Sequence, residues 1–572
     1  MDAVTTRRWS NRCDATTEAL SLSLADNLGL GSLTARILAC RGVSDLPAGR
    51  AFLASRLADL PDPFLMQGMS KATARLATAL ERGEKIAIHG DYDVDGISGT
   101  TLLVDVLRQL GAQVEYHIPL RLKDGYGLSA EALQLAASHG VRVAVSVDCG
   151  VSAVAEAKLA RELGLDLIIT DHHQVPEIRP EALAILNPHQ SDCAFPAKEL
   201  AGVGVAFMLL VGLRKVLRDR GYFQGRKEPD LRLGLDLVAL GTIADIAPLQ
   251  GLNRTLTKLG LQLLNESRRP GVQALREVAG VKEVSCSAVG FRLAPRLNAA
   301  GRLEDAALGV QLLLTESAAE AKELAALLDG FNRERQTLEQ ETLRQAVERL
   351  ERLSNDLHSI VLADERWHPG VIGIVASRLV ERYGRPTVLI ALDEGKGKGS
   401  GRSIRGFHLY PGLAACAGHL LGFGGHEYAA GLSIEMERVE DFARDFEALA
   451  KSRLTADDLQ PQLWHDGEVL IEELGEREVV SLEGLAPFGA GNPEPCLVLR
   501  GVRVQQLQPV GEGHLRFTAR QGGYSLACIA FGLAERAAQL QGEIDLLGVP
   551  GLNEWRNQKT VQLRVKDFRP TA

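Results

Sequence analysis

The sequence predicts an α/β protein: a parallel-sheet domain, a second α/β unit joined to it by a long helix, and a small C-terminal β-barrel. Three observations predict it. From about residue 70, strand-length apolar runs alternate with helical patterns: KIAIHG, VEYHIPL, VRVAVSVD, LDLIITDHH and EALAILNP. Alternation of this kind gives a parallel sheet covered by helices. The stretch SIVLADERWHPGVIGIVASRLVERYGRPTVLIAL then repeats strand, helix, strand. The last hundred or so residues hold short alternating runs, GVRVQQLQPV, HLRFTAR, YSLACIAF, GEIDLLGVPGLNEW and KTVQLRVKDF, which suit a small barrel.

Taken in order, residues 1–60 carry short helical patterns such as LTARILACRG and read as a helical cap without visible chemistry. The parallel-sheet domain is expected over 61–315, with one helix at 99–110. A charged, heptad-like run, LAALLDGFNRERQTLEQETLRQAVERLERL, predicts a connecting helix within 316–356. At ~1.5 Å per residue it would extend over some 50 Å and leave a cleft beside it. The second α/β unit is expected over 357–455 and the barrel module over 456–572, after the turn-rich PFGAGNPEP.

Composition bounds the function. The chain has 572 residues, 45% hydrophobic and 24% charged, which is ordinary for a multidomain globular protein. A net charge of -9 argues against a protein that coats nucleic acid non-specifically, although a local basic groove is compatible with it. MDAVTTRRWS has no apolar signal core, and no run is long and apolar enough to span a bilayer. The eight cysteines form no CxxC pair, so reduced cytosolic thiols are expected and no zinc ribbon. GKGKGS fails the spacing of a phosphate-binding P-loop.

The chemistry gathers where strands end. KIAIHGDYDVDGISG places His89, Asp91, Asp93 and Asp95 directly after an apolar strand, with Gly96 and Gly99 expected to let the backbone turn. DYDVDG also matches the start of an EF-hand loop. That loop needs a preceding helix and a glutamate at its twelfth position, which is Leu102 here. VRVAVSVD ends on Asp148, LDLIIT on Asp171-His172-His173, and LDLVALGTIAD delivers Asp245 after a helix. Parallel strands set their C-terminal residues along one edge of the sheet, where ligands bind. A single such carboxylate is commonly a helix cap. Three successive strands each ending in Asp or His make independent caps improbable. Mixed carboxylate and imidazole ligands suit manganese, magnesium or zinc. The carboxylates exceed what one ion needs, so a pair is expected, with Asp148 as a bridge and a phosphoryl group as substrate.

DYDVDG, SVDCG, TDHH and GTIAD together resemble the motifs of the DHH phosphoesterase superfamily. Over nearly its whole length the chain is similar to the superfamily's bacterial single-strand-specific exonucleases. The resemblance implies a DHH catalytic domain, a DHH-associated domain and an OB-fold barrel. It implies His89, Asp93, Asp95, Asp148, His172 and Asp245 as ligands of two Mn2+ or Mg2+ ions. His173 would then face the scissile phosphate, Asp171 would orient an imidazole, and Asp91 would be left as a supporting catalytic residue. The activity implied is 5′-to-3′ hydrolysis of single-stranded DNA in repair and recombination, by a cytoplasmic monomer. Single-strand-binding protein and a helicase are the family's expected partners. Cleavage of short oligonucleotides, cyclic dinucleotides or pyrophosphate, or a non-catalytic replication scaffold, are the alternatives.

Substrate contacts are expected from cationic residues. Arg254, Arg292, Arg296 and Arg302 follow the fourth motif; Arg296 and Arg302, in a Gly/Pro-punctuated loop, are assigned to phosphate, and Arg268 and Arg269 to surface ion pairs. The resemblance places Arg121 in a pocket for the terminal 5′ phosphate. Lys396, Lys398, Ser400, Arg402 and Arg405 make a glycine-rich cationic turn. GGHEYAAG, with His426, resembles the DHH-associated signature, so this turn is assigned to substrate and a strand of nucleic acid is expected between the two α/β domains. In the barrel, Arg516, Trp555 and Arg556 are candidates for single-strand binding.

Overall fold

The computed structural model describes residues 7–120, 125, 127–353, 357–555 and 558–571, without the side chains of residues 15, 16 and 555. They form two compact units, one of Asn11–Leu328 with Trp464–Ala572, the other of Asp329–Leu463 with the residues up to Ser10.

In the first unit, β1 (Lys85–His89), β2 (Val114–His117), β3 (Val141–Val147), β4 (Asp166–Thr170) and β5 (Ala184–Leu186) make a sheet of order β2-β1-β3-β4-β5, parallel throughout. Ile86, Ile88, Val143, Val145, Ile168 and Ile169 are fully buried, as the apolar runs require. The helix after β1 spans Val94–Gln109 and so starts five residues before the expected 99–110. Asp93 caps it, accepting from Asp95 N at 2.9 Å and Gly96 N at 3.2 Å. Gly96 and Gly99 therefore lie inside the helix and do not make a turn. They serve close packing: a Cβ on Gly96 would meet Asp91 N at 2.5 Å, and one on Gly99 would meet Val147 Cγ1 at 2.4 Å.

The barrel is closed. β11 (Leu497–Val510), β12 (His514–Gln521), β13 (Tyr524–Ala530), β14 (Glu543–Trp555) and β15 (Gln558–Pro570) run in the order β11-β12-β13-β15-β14, with β13 and β15 parallel. The N-terminal helices Ala15–Leu28, Ser32–Cys40 and Leu46–Ala54 are built onto it. Leu24, Ile37 and Leu38 share one apolar cluster with Leu499, Phe517, Leu526 and Phe568. Arg41 pairs with the fully buried Asp466 at 2.6 Å. Beside this contact Cys40 and Cys13 lie 5.5 Å apart at their Cα atoms and form a disulfide. The expectation that all eight thiols are reduced is corrected there; the other six are free.

The second unit contains the helix Ala318–Leu350 from Asp329 onward, 33 residues long as a whole, as the heptad-like run predicts. Its sheet comprises β6 (Ile360–Asp364), β7 (Thr387–Asp393), β8 (Lys396–Arg402), β9 (Leu420–Gly425) and β10 (Ala429–Glu435), ordered β9-β10-β8-β7-β6. The GKGKGS stretch is thus not a turn but β8, flanked by strands on both sides. Its backbone amides serve the ladders, so the expected cradle of backbone N–H groups for phosphate is not what the glycines make. Instead Gly397, Gly399 and Gly401 face the core, where a Cβ would come within 2.6, 2.6 and 2.8 Å of Ile390, Leu432 and Leu409. Among the described residues, no helix is long and apolar enough to cross a membrane.

Candidate metal centre

β1, β3 and β4 end at the same edge of the first sheet and carry their polar residues there together. Among the described residues, three groups of ligand atoms form, each within 4.8 Å of one another: Asp148 with His172 and His173, Asp95 with His172 and Asp245, and Asp91 with Asp93 and Asp148. His172 Nε2 lies 3.0 Å from Asp148 Oδ1, 3.8 Å from Asp245 Oδ2 and 4.0 Å from Asp95 Oδ2. Asp148 adopts φ +63°, a left-handed backbone that Asp and Asn tolerate better than other side chains.

Each carboxylate is held from a different element. Asp95 accepts from Gly202 N at 2.7 Å and Val203 N at 2.9 Å, the first amides of the helix Gly202–Asp219, whose dipole favours a negative charge. Gly202 also leaves room, since a Cβ there would lie 2.7 Å from Asp148 Oδ1. Asp245 closes the helix Leu235–Ala244. Asp171 accepts from Val151 N at 2.8 Å and from His173 Nδ1 at 2.8 Å, so the imidazole it orients is that of His173.

The electrostatics favour cation binding. Burial, then repulsion from Asp95, Asp93, Asp91 and Asp245, raises Asp148 well above the carboxylate range. Burial and Asp93 lift Asp95 to about 7, although the Val203 and Gly202 amides oppose them. Burial, Asp95 and Asp93 lift Asp245 to about 8. Burial and the neighbouring His173 lower His172 to about 4, so it presents a neutral imidazole. Burial opposes the charge on His173, yet the hydrogen bond and charge of Asp171 raise it to about 9. Crowded, desolvated carboxylates around a neutral imidazole are relieved by a divalent cation, and the oxygen–nitrogen donor set suits manganese or magnesium.

His89 and Asp91 differ from the expectation. His89 joins none of the three ligand groups among the described residues, whereas Asp91 joins Asp93 and Asp148. The His89 ring is buried, neither of its nitrogens has a hydrogen-bond partner among the described residues, and burial with the neighbouring His117 lowers its pKa to about 3. A buried neutral imidazole with both nitrogens unpartnered still fits a ligand role. His117 ends β2 opposite His89, 5.8 Å between ring centroids, and was legible by the same strand-end rule.

A cavity of about 330 Å³ opens on the centre, lined by Asp91, Tyr92, Asp93, His173, Asp245 and Arg302, with Asn298 and Ala244. Arg302 is thus at the site. Arg296 does not line this cavity and donates to Arg292 O at 2.5 Å. Both lie on the helix Ala294–Leu303, not on the expected loop. Asn298 was missed; its Oδ1 accepts from Val94 N at 3.1 Å and anchors this helix to the first motif. Arg254 is corrected to a structural residue, 1% exposed and bonded to backbone carbonyls. Arg292 donates to Ala279 O, and Arg269 bridges Asp105 and Asp236 as an ion pair. In the second unit, Lys398, Ser400 and Arg402 share the non-core face of β8, and exposed His426 lies in the β9–β10 hairpin. In the barrel, exposed Arg516 donates to Gln508 Oε1 at 3.2 Å. Arg121 and Arg556 lie outside the described residues; of Trp555 the strand position is described and the side chain is not.

A parallel sheet with a carboxylate–imidazole centre at its edge, a second α/β unit and a closed barrel define a phosphoesterase of the DHH class. The DHH family, N-terminal domain model matches residues 85–242, the DHHA1 domain model 339–452 and the RecJ OB domain model 465–567. The chain is 40% identical to the single-stranded-DNA-specific exonuclease RecJ of Bacillus subtilis (strain 168) over 95% of its own length and 69% of the relative's. It is also 40% identical to that of Escherichia coli (strain K12), covering 88% of this chain and 91% of the relative. The crystal structure of RecJ in complex with Mn2+ from Thermus thermophilus superposes with a TM-score of 0.84 at 33% identity, covering 99% of this chain and 79% of that one. The chain belongs to the RecJ family of single-stranded-DNA-specific exonucleases.

Proposed function

We propose that this protein is a manganese- or magnesium-dependent exonuclease that removes nucleotides from the 5′ end of single-stranded DNA. The convergence of Asp91, Asp93, Asp95, Asp148, His172 and Asp245 at one sheet edge carries the reading. These residues, with His89, would hold two divalent ions, and Asp148, which belongs to two of the ligand groups, is the bridging candidate. Bound ions supply charge neutralisation at the phosphate and a more acidic water. The residues of the chain do the rest. Asp171 fixes His173 through Nδ1 at 2.8 Å and, against burial, raises its pKa to about 9, and the Nε2–H of the imidazolium this favours is the donor assigned to the scissile phosphate. Arg302 and Asn298 line the same cavity and are assigned to positioning that phosphate.

The remaining assignments extend this reading. Lys398, Ser400, Arg402 and His426 are proposed to contact the strand from the second unit, Arg296 and Arg121 to contact phosphate, and Trp555 to stack on a base. The proposed division is 61–315 catalytic, 357–455 substrate-binding and 456–572 single-strand-binding. A cytoplasmic role in repair and recombination, as a monomer working beside single-strand-binding protein and a helicase, is proposed from the family. The test is digestion with manganese of a long 5′-labelled single strand, its duplex and a dinucleotide. Mononucleotides released from the single strand, with the duplex spared, are expected. Cleavage of the dinucleotide alone would reject the assignment.

A further inference from the structure

The turn Pro487–Pro495 looks, in the sequence, like a lead-in to the barrel. In the fold it is fastened to the segment that follows Asp245. Leu249 N donates to Ala490 O at 2.7 Å, and Gln250 Nε2 donates to Gly491 O at 2.8 Å. A Cβ on Gly489 would lie 2.8 Å from Leu249 Cδ1. The turn is itself fixed by buried Asn492, which donates to Leu485 O at 3.0 Å and Pro487 O at 2.8 Å.

Arg254 lies beneath the turn. It donates to Ala486 O at 2.8 Å and Phe52 O at 3.1 Å, with the guanidinium 3.7 Å from the Phe52 ring centroid. Burial lowers its pKa to about 10. A guanidinium buried among carbonyls is costly unless its hydrogen bonds are kept. Asn253 donates to Pro248 O at 3.2 Å and Glu199 O at 2.5 Å. It thereby links the Asp245 segment to the approach of the helix whose first amides hold Asp95.

The segment needs such support. Directly after Asp245 the chain passes through Ile246 at φ +61°, and this residue is 74% exposed. A β-branched residue in the left-handed region is strained, and such strain persists where surrounding contacts over-determine it. We propose that Asn253, Arg254 and the Pro487–Pro495 turn are positioning residues that hold Asp245, and through Glu199 the Asp95 cradle, in register for metal. This rests on the reading of Asp245 and Asp95 as ligands, and it makes the C-terminal module part of the catalytic scaffold.

The test uses the full chain with Asn253→Ala, Arg254→Met, Gly489→Ala and Gly489→Val. Manganese affinity is measured by titration calorimetry, and kcat and KM on a short 5′-phosphorylated single strand. The expected result is a loss of about 10–100-fold in manganese affinity, with kcat reduced, KM unchanged and the circular dichroism of the wild type retained. Gly489→Ala should fall between the wild type and Gly489→Val. If Arg254→Met does not fold, the two variants of exposed Gly489 decide. Wild-type manganese affinity and kcat in the folded variants would overturn the proposal. A wild type that binds manganese but leaves single-stranded DNA intact would overturn the substrate reading instead, and the affinity comparison would still decide this one.

Discussion

Asp148 is the residue on which the centre turns. The residue is 2% exposed, it belongs to two ligand groups, and its backbone is left-handed. Asn keeps the shape and tolerates the same backbone, so Asp148→Asn removes charge with little else. Manganese-dependent hydrolysis should be abolished. The metal-free variant should also be more stable than the wild type, by about 0.5–2 kcal/mol, because the wild type must either hold a desolvated charge among like charges or take up a proton to neutralise it, and the amide does neither. A digestion assay with manganese checks the first half, and thermal unfolding with and without manganese checks the second. The wild type should gain stability from the metal and the variant should gain little. A metal-free variant less stable than the wild type would contradict the repulsion described here.

At the scale of elements, the barrel offers the clearest pH signature. Asp545 on β14 is 2% exposed and is met by Arg500 Nη1 at 2.6 Å, Gly501 N at 3.1 Å and Thr571 Oγ1 at 3.0 Å. Burial would raise its pKa, but these partners hold it below 3.8. A carboxylate with a lowered folded pKa stabilises fully above its unfolded value and loses that contribution as pH falls through the folded one. Asp545→Asn should therefore cost about 1–3 kcal/mol at neutral pH, and the gap in melting temperature should close as pH drops below about 4. A gap that stays constant down to acid pH would refute the pairing. Elements like these were legible in the sequence where the signal is local. The β1, β3 and β4 runs and their terminal Asp and His residues follow from a short apolar strand meeting a polar edge. The glycines of β8 and Gly99 of the first motif were misread because their neighbours are distant in the chain: Leu432 faces Gly399, and Val147 faces Gly99. The roles of Arg254 and the Pro487–Pro495 turn were unreadable for the same reason. Their partners are Phe52 and Leu249, which no periodicity connects to them.

At the scale of the molecule, the helical cap and the barrel are one hydrophobic structure, since Leu24, Ile37 and Leu38 share their cluster with Leu499 and Phe568. A chain ending at Leu463 would leave the cap's apolar side uncovered. Such a truncation should aggregate and bind a hydrophobic dye, as read by size-exclusion chromatography and dye fluorescence. A well-behaved, cooperatively melting fragment would show the barrel to be a detachable appendage. The same cluster has a consequence for biosynthesis. The ribosome releases the cap helices first, and their covering strands emerge only after roughly 450 further residues, on the order of tens of seconds later. Throughout that interval the nascent chain displays a greasy face with nothing to cover it, so newly made molecules should lean on chaperones far more than mature ones do.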